Sequence, residues 1–452
     1  MIKMTLDAIA LACNGNLYEY KSSKNTNVSG VAIDSRLIEN NFLFIATKGE
    51  HVDGHHFIDD AFDKGAAAVI CEKAPTNPKG TYILVENSLI ALKDIAKYYR
   101  MQLDVKIIGI TGSVGKTSTK EFISSVLSRK YDVLKTEGNY NNEIGMPLTL
   151  LKIRNHHQIA ILEMGINDFN EMHRLSEIAK PDIVVITNIG ECHLEKLGSR
   201  VGVLKAKTEI FDFISENGKV IINGDDDMLS TIDMVGSIKP IRFGLDSKND
   251  IFANNLVSKG LLGSSFDIHI NNKSYKTNIP LPGQHMVYNA LAAASVGLFI
   301  GMNYNEILLG FNEVKTLNGR SNVIQSGNQV IIDDCYNANP ISMRAAIDLL
   351  AMANGRKVAI LGDMFELGKD ENILHNEIGR YASTRLDLLI CVGELSYHMY
   401  EGALENSNTN ILYFKTRDEL INQLSSIIRS GDTILVKASN GMKFNEIIKF
   451  LH

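Results

Sequence analysis

Apolar and polar positions divide the chain into three textures. Up to about residue 86, short apolar runs at 31–35, 41–47, 66–72 and 81–87 predict strands. Residues 1–15 read as a small amphipathic helix. Leu89, Leu92, Ile95, Ala96 and Tyr99 recur at helical spacing and predict a connecting helix over 89–101. An apolar strand at 105–110 follows, then a glycine-rich turn. Beyond it comes a helix with Phe122, Ile123, Val126 and Leu127 on one face. The runs at 159–166 and 182–189 are apolar on both faces, which predicts a buried parallel sheet. Residues 219–227 add a strand, 266–270 and 274–280 predict a hairpin about a turn at 271–273, and 281–300 returns to helix. From near Asn318, strands at 330–334, 357–363, 387–393 and 432–439 alternate with helical stretches. The expected fold is α/β with three domains. A central parallel-sheet domain (87–316) is flanked by a small α/β domain (1–86) and a Rossmann-like domain (317–452).

A length of 452 residues agrees with three domains at about 150 residues each. Apolar residues make up 45% and charged residues 22%, which excludes disorder as the main state. The net charge of −6 argues against a general nucleic-acid binder. The longest nearly apolar stretch, 290–302, is too short to span a bilayer. Asp7 and the missing basic start make the N-terminus a poor signal peptide. Five scattered cysteines without a CxxC motif read as free thiols of a cytoplasmic protein.

The strongest local signal is the segment 109–118, GITGSVGKTS, between an apolar strand and an amphipathic helix. Backbone N–H groups of Thr111, Gly112, Ser113, Val114, Gly115, Lys116, Thr117 and Ser118 can wrap phosphate oxygens at a helix N-terminus. Lys116 supplies a point charge, and the Thr117 hydroxyl suits Mg²⁺. The strict phosphate-loop pattern has glycine where Ile110 stands. None of the last domain's turns carries GxGxxG, so nicotinamide binding has no direct support.

Other polar residues gather where strands end. Glu163 closes a strand and suits a hard cation or caps the next helix. His193 follows a strand end; Lys207 by local sequence alone reads as a solvated helix lysine. Asn139, Asn141 and Asn142 look like loop residues near a ligand or in turns. Residues 332–343, IDDCYNANPISM, hold Asp333, Asp334, Tyr336, Asn337 and Asn339 in one strand–helix turn. That density favours binding, with Ser342 as a helix cap. His51, His55 and His56 lack zinc spacing and are expected in non-metal roles.

Together these pieces resemble the Mur ligase family, ATP-dependent amide-forming ligases of bacterial cell-wall precursor synthesis. The likeness covers nearly the whole chain. TGSVGKTS, LEMGIND, TNIGECHLEKLGS, KAKTEIF, GQHMVYNALAAA, NGR and DDCYNANPISM occur in family order. YNNEIGMPLTLL, YNANP and LGDMFELG are similar to the branch that adds D-alanyl-D-alanine to a UDP-N-acetylmuramoyl-tripeptide. The resemblance implies ATP and Mg²⁺ as cofactors, with Thr117, Glu163, His193 and a carbamoylated Lys207 as metal ligands. It makes Lys116, Glu163, His193 and Lys207 the catalytic set. Asn289, Arg320 and Asp334 match ATP-contacting positions. Ser35 and Arg36 match the uridine-nucleotide region, and Asn142, Tyr336, Asn337 and Asn339 match substrate loops. A monomer without a membrane span or nucleic-acid partner is expected. Two positions depart from the family: Met286 replaces an asparagine, and Asn440 replaces an arginine. A folylpolyglutamate synthetase-like ligase and a non-ligating nucleotide switch stay open as alternatives.

Overall fold

A computed structural model describes residues 4–20, 26–271, 273–405 and 409–452. Three sheets carry the architecture, and each predicted strand region falls in one of them.

The first sheet runs Asn16–Tyr18, Tyr82–Leu84, Ala68–Cys71, Phe42–Ile45, Gly30–Ala32. It is parallel except at the Asn16–Tyr18 edge. The Thr5 hydroxyl accepts from the Ala8 N–H and starts helix Leu6–Ala12, which buries Leu6, Ile9 and Ala10. Residues 1–3 of the expected N-terminal helix lie outside the described residues. Helix Ser88–Arg100 starts on an Asn87 cap and buries Leu92, Ile95, Ala96 and Tyr99. The Tyr99 hydroxyl donates to the Ile153 carbonyl at 2.6 Å, so one core joins this helix to the central domain.

The second sheet has nine strands. Five of its parallel strands run out to one edge: Lys219–Asn223, Ile183–Ile186, Lys106–Thr111, Ile159–Glu163 and Val133–Lys135. Strands Ile159–Glu163 and Ile183–Ile186 are buried throughout, which accounts for their unbroken apolar runs. The chain first adds strands on one side of Lys106–Thr111 and then on the other. A crevice therefore opens at that strand's carboxyl end, where ligands collect in open α/β sheets. The predicted hairpin is present as Ser264–Ile270 and Lys273–Ile279, with position 272 of its turn outside the described residues. It is not a separate unit. Strands Ile241–Gly244 and Ile251–Ser258 splice it onto the parallel sheet. Ile268, Ile270 and Ile279 on its inner face pack with the apolar helix Gln284–Phe299, and that burial fixes its place.

The third sheet runs Asn322–Ser326, Gln329–Asp333, Thr433–Lys437, Lys357–Gly362, Leu388–Val392, Asn410–Phe414. The Asn322–Ser326 edge is antiparallel and the rest is parallel. Among the described residues no helix is long and apolar enough to cross a membrane.

Candidate active site

The glycine-rich turn owes its shape to two residues beyond it in sequence. The Ser113 N–H donates to the Asn188 carbonyl at 3.0 Å, and the Val114 N–H to Asn188 Oδ1 at 2.9 Å. Thr187 Oγ1 and Asn188 Nδ2 return bonds to the Val114 carbonyl. Gly112 has φ 148°, and a Cβ there would lie 1.9 Å from Thr187 Oγ1, so only glycine fits. Helix Lys116–Leu127 begins at Gly115 with no side-chain cap. Its first N–H groups and the positive end of its dipole are left for an anion.

Lys116 Nζ donates to the Gly112 carbonyl at 2.8 Å. The residue lines the cavity and is half-buried. That burial, aided by the Lys207 charge, pushes its pKa down to about 8. Lys207 is itself 1% exposed, and its ammonium has no hydrogen bond or ion pair among the described residues. Burial lowers its pKa as well. The sequence expectation of a solvated lysine is thus reversed, because helix Arg200–Thr208 turns Lys207 inward with Val203 and Ala206.

Glu163 is 1% exposed. Its Oε1 accepts from Thr117 Oγ1 at 3.1 Å and from Asn141 Nδ2 at 2.9 Å. Its Oε2 is buried with no hydrogen-bond partner, and the buried Lys120 ammonium stands 3.5 Å away. A buried carboxylate beside a threonine hydroxyl is a hard donor set. Among the described residues no three His, Cys, Asp or Glu side chains converge as a ready cage. Mg²⁺ uses few protein ligands and completes its shell with phosphate and water, so Glu163 and Thr117 fit it.

Across the crevice stands the last domain. Asp334 Oδ2 holds Lys437 Nζ at 2.6 Å, and Oδ1 accepts from the Ser321 N–H. Lys437 also donates to the Asn337 carbonyl at 2.9 Å. The Arg320 guanidinium lies 3.8 Å from the Tyr336 ring centroid. Asn339 caps helix Pro340–Ala351 in a reciprocal capping box with Ser342. Asn142 Oδ1 likewise accepts from the Ile144 and Gly145 N–H groups. These two asparagines serve local turns and also face the cavity.

A cavity of about 650 Å³ lies between the two domains. It gathers Ser113–Lys116, Ser118, Glu163, His193, Asn289, Arg320, Asp334, Asn142, Tyr336, Asn337 and Asn339. Thr117 sits just behind, and Thr111 is buried at the strand end with its hydroxyl unpartnered. Ser35 and Arg36 are not brought there. Ser35 is buried in the first domain, and Arg36 is exposed and paired with Asp34. His55 ties a loop together by bonding Asp53 and the Glu72 N–H. Met286 is buried, its sulfur accepting from Asn289 Nδ2.

Sequence reasoning passed over Thr187, Asn188, His285 and Lys437, all of which line the cavity. Thr187, Asn188 and Lys437 sit at or just past strand ends, the signal that singled out Glu163. Nothing local pointed to His285 in its apolar helix; burial lowers its pKa.

Comparison with known proteins fits this geometry. Sequence profiles match at residues 27–100 (Mur ligase family, catalytic domain), 110–297 (Mur ligase middle domain) and 319–440 (Mur ligase, glutamate ligase domain). The chain belongs to the Mur ligase family. It is 39% identical over 459 residues to the UDP-N-acetylmuramoyl-tripeptide–D-alanyl-D-alanine ligase of Bacillus subtilis, covering 100% of this chain and 99% of that one. A crystal structure of MurF from Acinetobacter baumannii superposes with TM-score 0.91 at 32% identity, covering 99% and 98% of the two chains. MurF ligase from Thermotoga maritima in complex with ADP superposes with TM-score 0.83 at 27% identity, covering 93% and 96%. In this Mur ligase the uncapped helix, Glu163 and the last domain's polar loop share one cavity.

Proposed function

We propose that this chain joins D-alanyl-D-alanine to UDP-N-acetylmuramoyl-tripeptide at the expense of ATP, in cytoplasmic peptidoglycan precursor synthesis. One observation carries the reading. An uncapped helix start and the Glu163 carboxylate share one cavity with a second domain's polar loop. The end-to-end likeness to the Bacillus subtilis ligase supports the choice of substrates.

The three modules divide the work. Residues 1–86 anchor the uridine nucleotide through the region of Ser35 and Arg36. None of the described ones lines the cavity, so the long substrate reaches in from outside. Binding energy far from the chemistry then positions the reacting carboxylate. Residues 87–316 hold ATP. The N–H groups at the start of helix Lys116–Leu127 take the phosphates, with Ser113–Ser118 around them. Lys116 exchanges the Gly112 carbonyl for the outer phosphates. Asn289 and Arg320 line the nucleotide's path. Residues 317–452 close the site, and Tyr336, Asn337 and Asn339 meet the dipeptide. Ile341 already reaches over to Gly190, where an added Cβ would lie 2.3 Å from its Cδ1.

A carboxylate resists amide formation because its carbon is a poor electrophile. Its oxygen attacks the γ-phosphorus of ATP, ADP leaves, and an acyl phosphate forms. The dipeptide amine then attacks the carbonyl carbon, inorganic phosphate leaves, and the nitrogen loses its proton. Negative charge grows on phosphoryl and carbonyl oxygens in both steps, and Lys116 meets it electrostatically. Thr117 and Glu163 would hold one Mg²⁺; His193 and Lys207 would hold a second. The ions supply neutralisation of phosphoryl oxygens. Lys207 is buried without a partner and its neutral form is favoured. A neutral amine adds CO₂ and releases a proton to give a carbamate, the anionic ligand this position otherwise lacks. Closure of the last domain keeps water from the acyl phosphate.

The test is phosphate release with the tripeptide nucleotide and the dipeptide, each alone and together. Release needing both supports ligation; release needing neither points to a hydrolytic switch. Oxygen-18 in the tripeptide carboxylate should appear in inorganic phosphate. Product formed without isotope transfer overturns the acyl-phosphate route. Lys207→Ala should be slow and regain activity with added short-chain carboxylic acids; full activity in the bare variant removes the carbamate.

A further inference from the structure

His193 is reached from the other domain. Its buried Nδ1 lies 2.6 Å from Glu366 Oε2 and has no other partner among the described residues. Both residues have left-handed backbone, φ 52° at His193 and φ 64° at Glu366. Histidine is among the residues that enter this region more readily, but glutamate is not, and strain at Glu366 persists only where the surroundings enforce it.

The segment carrying Glu366 is fixed on three sides. The Met364 N–H donates to His375 Nε2, and the Phe365 N–H donates to Ser439 Oγ. The Ser439 N–H donates in turn to the Asp363 carbonyl. Gly368, two residues on, packs against the backbone of Leu194 and Glu195. The last domain therefore lays a rigid loop directly onto the central domain's histidine turn.

The His193 ring also lines the cavity. With Nδ1 set against a carboxylate oxygen, Nε2 is the nitrogen placed to offer a lone pair to a ligand. A metal-binding histidine commonly has its second nitrogen held in this way, which sets tautomer and ring direction.

We infer that Glu366 is a positioning residue. It holds His193 Nδ1 from the last domain, so that the imidazole offers Nε2 to a divalent cation only when the two domains are docked. The inference rests on His193 being a cation ligand, as proposed above. It makes the second cation site a product of domain closure, not of the central domain alone. Glu366 has a half-exposed side chain and no contact with the nucleotide loop, so its truncation leaves the fold intact.

Mn²⁺ binding, read by electron paramagnetic resonance with a non-hydrolysable ATP analogue saturating the full chain, tests this. Glu366→Ala should weaken the weaker Mn²⁺ site by roughly tenfold, the low end for loss of such a partner. Glu366→Gln keeps an acceptor oxygen and should restore most of that affinity. His193→Ala should lose the site. Glu366→Leu serves as the truncation if the alanine variant melts early. Wild-type Mn²⁺ affinity in Glu366→Ala and Glu366→Leu, with the site lost in His193→Ala, overturns the inference alone. Wild-type affinity in His193→Ala overturns the metal role of His193 and the inference with it.

Discussion

Two strand-to-helix turns face each other across the cavity, and their helices begin in opposite ways. Helix Lys116–Leu127 starts on Gly115 with no side-chain cap. Helix Pro340–Ala351 starts on Asn339, with a capping box closed by Ser342. The first turn spends its polar contacts on shaping the loop through Thr187 and Asn188, and leaves the helix start open. The second satisfies its own helix and offers side chains. An uncapped start is a site for anions, whereas a capped one is a rigid platform. The difference suits phosphate at one wall and, on the proposed reading, the dipeptide beside Tyr336, Asn337 and Asn339 at the other.

The largest effect should come from the open wall. Lys116→Ala should cut ATP-dependent phosphate release by about a thousandfold or more, as for loss of a charge-stabilising donor. Its circular dichroism should stay like wild type and its melting should not fall, because the ammonium bonds only the Gly112 carbonyl and its burial opposes folding. Turnover within tenfold of wild type would remove Lys116 from the chemistry.

The closed wall should answer in stability instead. Lys437 is 2% exposed and holds Asp334 and the Asn337 carbonyl. Lys437→Met leaves the Asp334 carboxylate short of its cation and should cost about 3 kcal/mol in urea unfolding. Adding Asp334→Asn should recover a good part of that loss, since the two residues form one pair. Equal losses in the single and double variants would mean the pair is not coupled.

The same contrast marks what the sequence could show. The open turn was legible because its chemistry is consecutive: glycines, Lys116 and Thr117 stand between a strand and a helix. Strand ends were legible too, from buried apolar runs that stop at Glu163 and Asn188. Lys207 stood out only through the family resemblance, since an amphipathic helix does not disclose which lysine its packing turns inward. Lys437, His285 and Glu366 were missed because each matters only through a partner far along the chain. The splicing of the hairpin onto the central sheet was hidden for the same reason. Only a few residue pairs near Gly244 and Ile251 make the join.

Proton linkage sharpens the picture of the open wall. The Lys116 pKa is lowered to about 8 from an ordinary value of 10.5. Between these values the unfolded chain binds a proton that the folded chain lacks, so this group's contribution to stability rises with pH. Its burial penalty is full below about pH 8. A polyphosphate beside the ammonium favours the charged form. Nucleotide binding should therefore take up a proton above about pH 8, and affinity should fall by up to tenfold per pH unit there. Titration calorimetry at about pH 9 in buffers of different ionisation heat reads this directly. No proton uptake would mean that Lys116 stays charged in the free protein.

The smallest effect should come from the cap itself. In Asn339→Ala the Ser342 N–H loses its acceptor, and the loss should be about 1 kcal/mol of stability. If Asn339 only starts a helix, the KM for the dipeptide should stay where it is. If it also meets the dipeptide, KM should rise while the Kd for nucleotide holds. Asn339→Asp separates the two roles. Aspartate caps as well as asparagine, so stability returns, but its carboxylate repels the carboxylate of an incoming dipeptide. A variant that is stable yet poor in dipeptide KM would make the capped wall a substrate surface. One restored in both would leave Asn339 a helix cap, and the dipeptide contacts would pass to Tyr336 and Asn337.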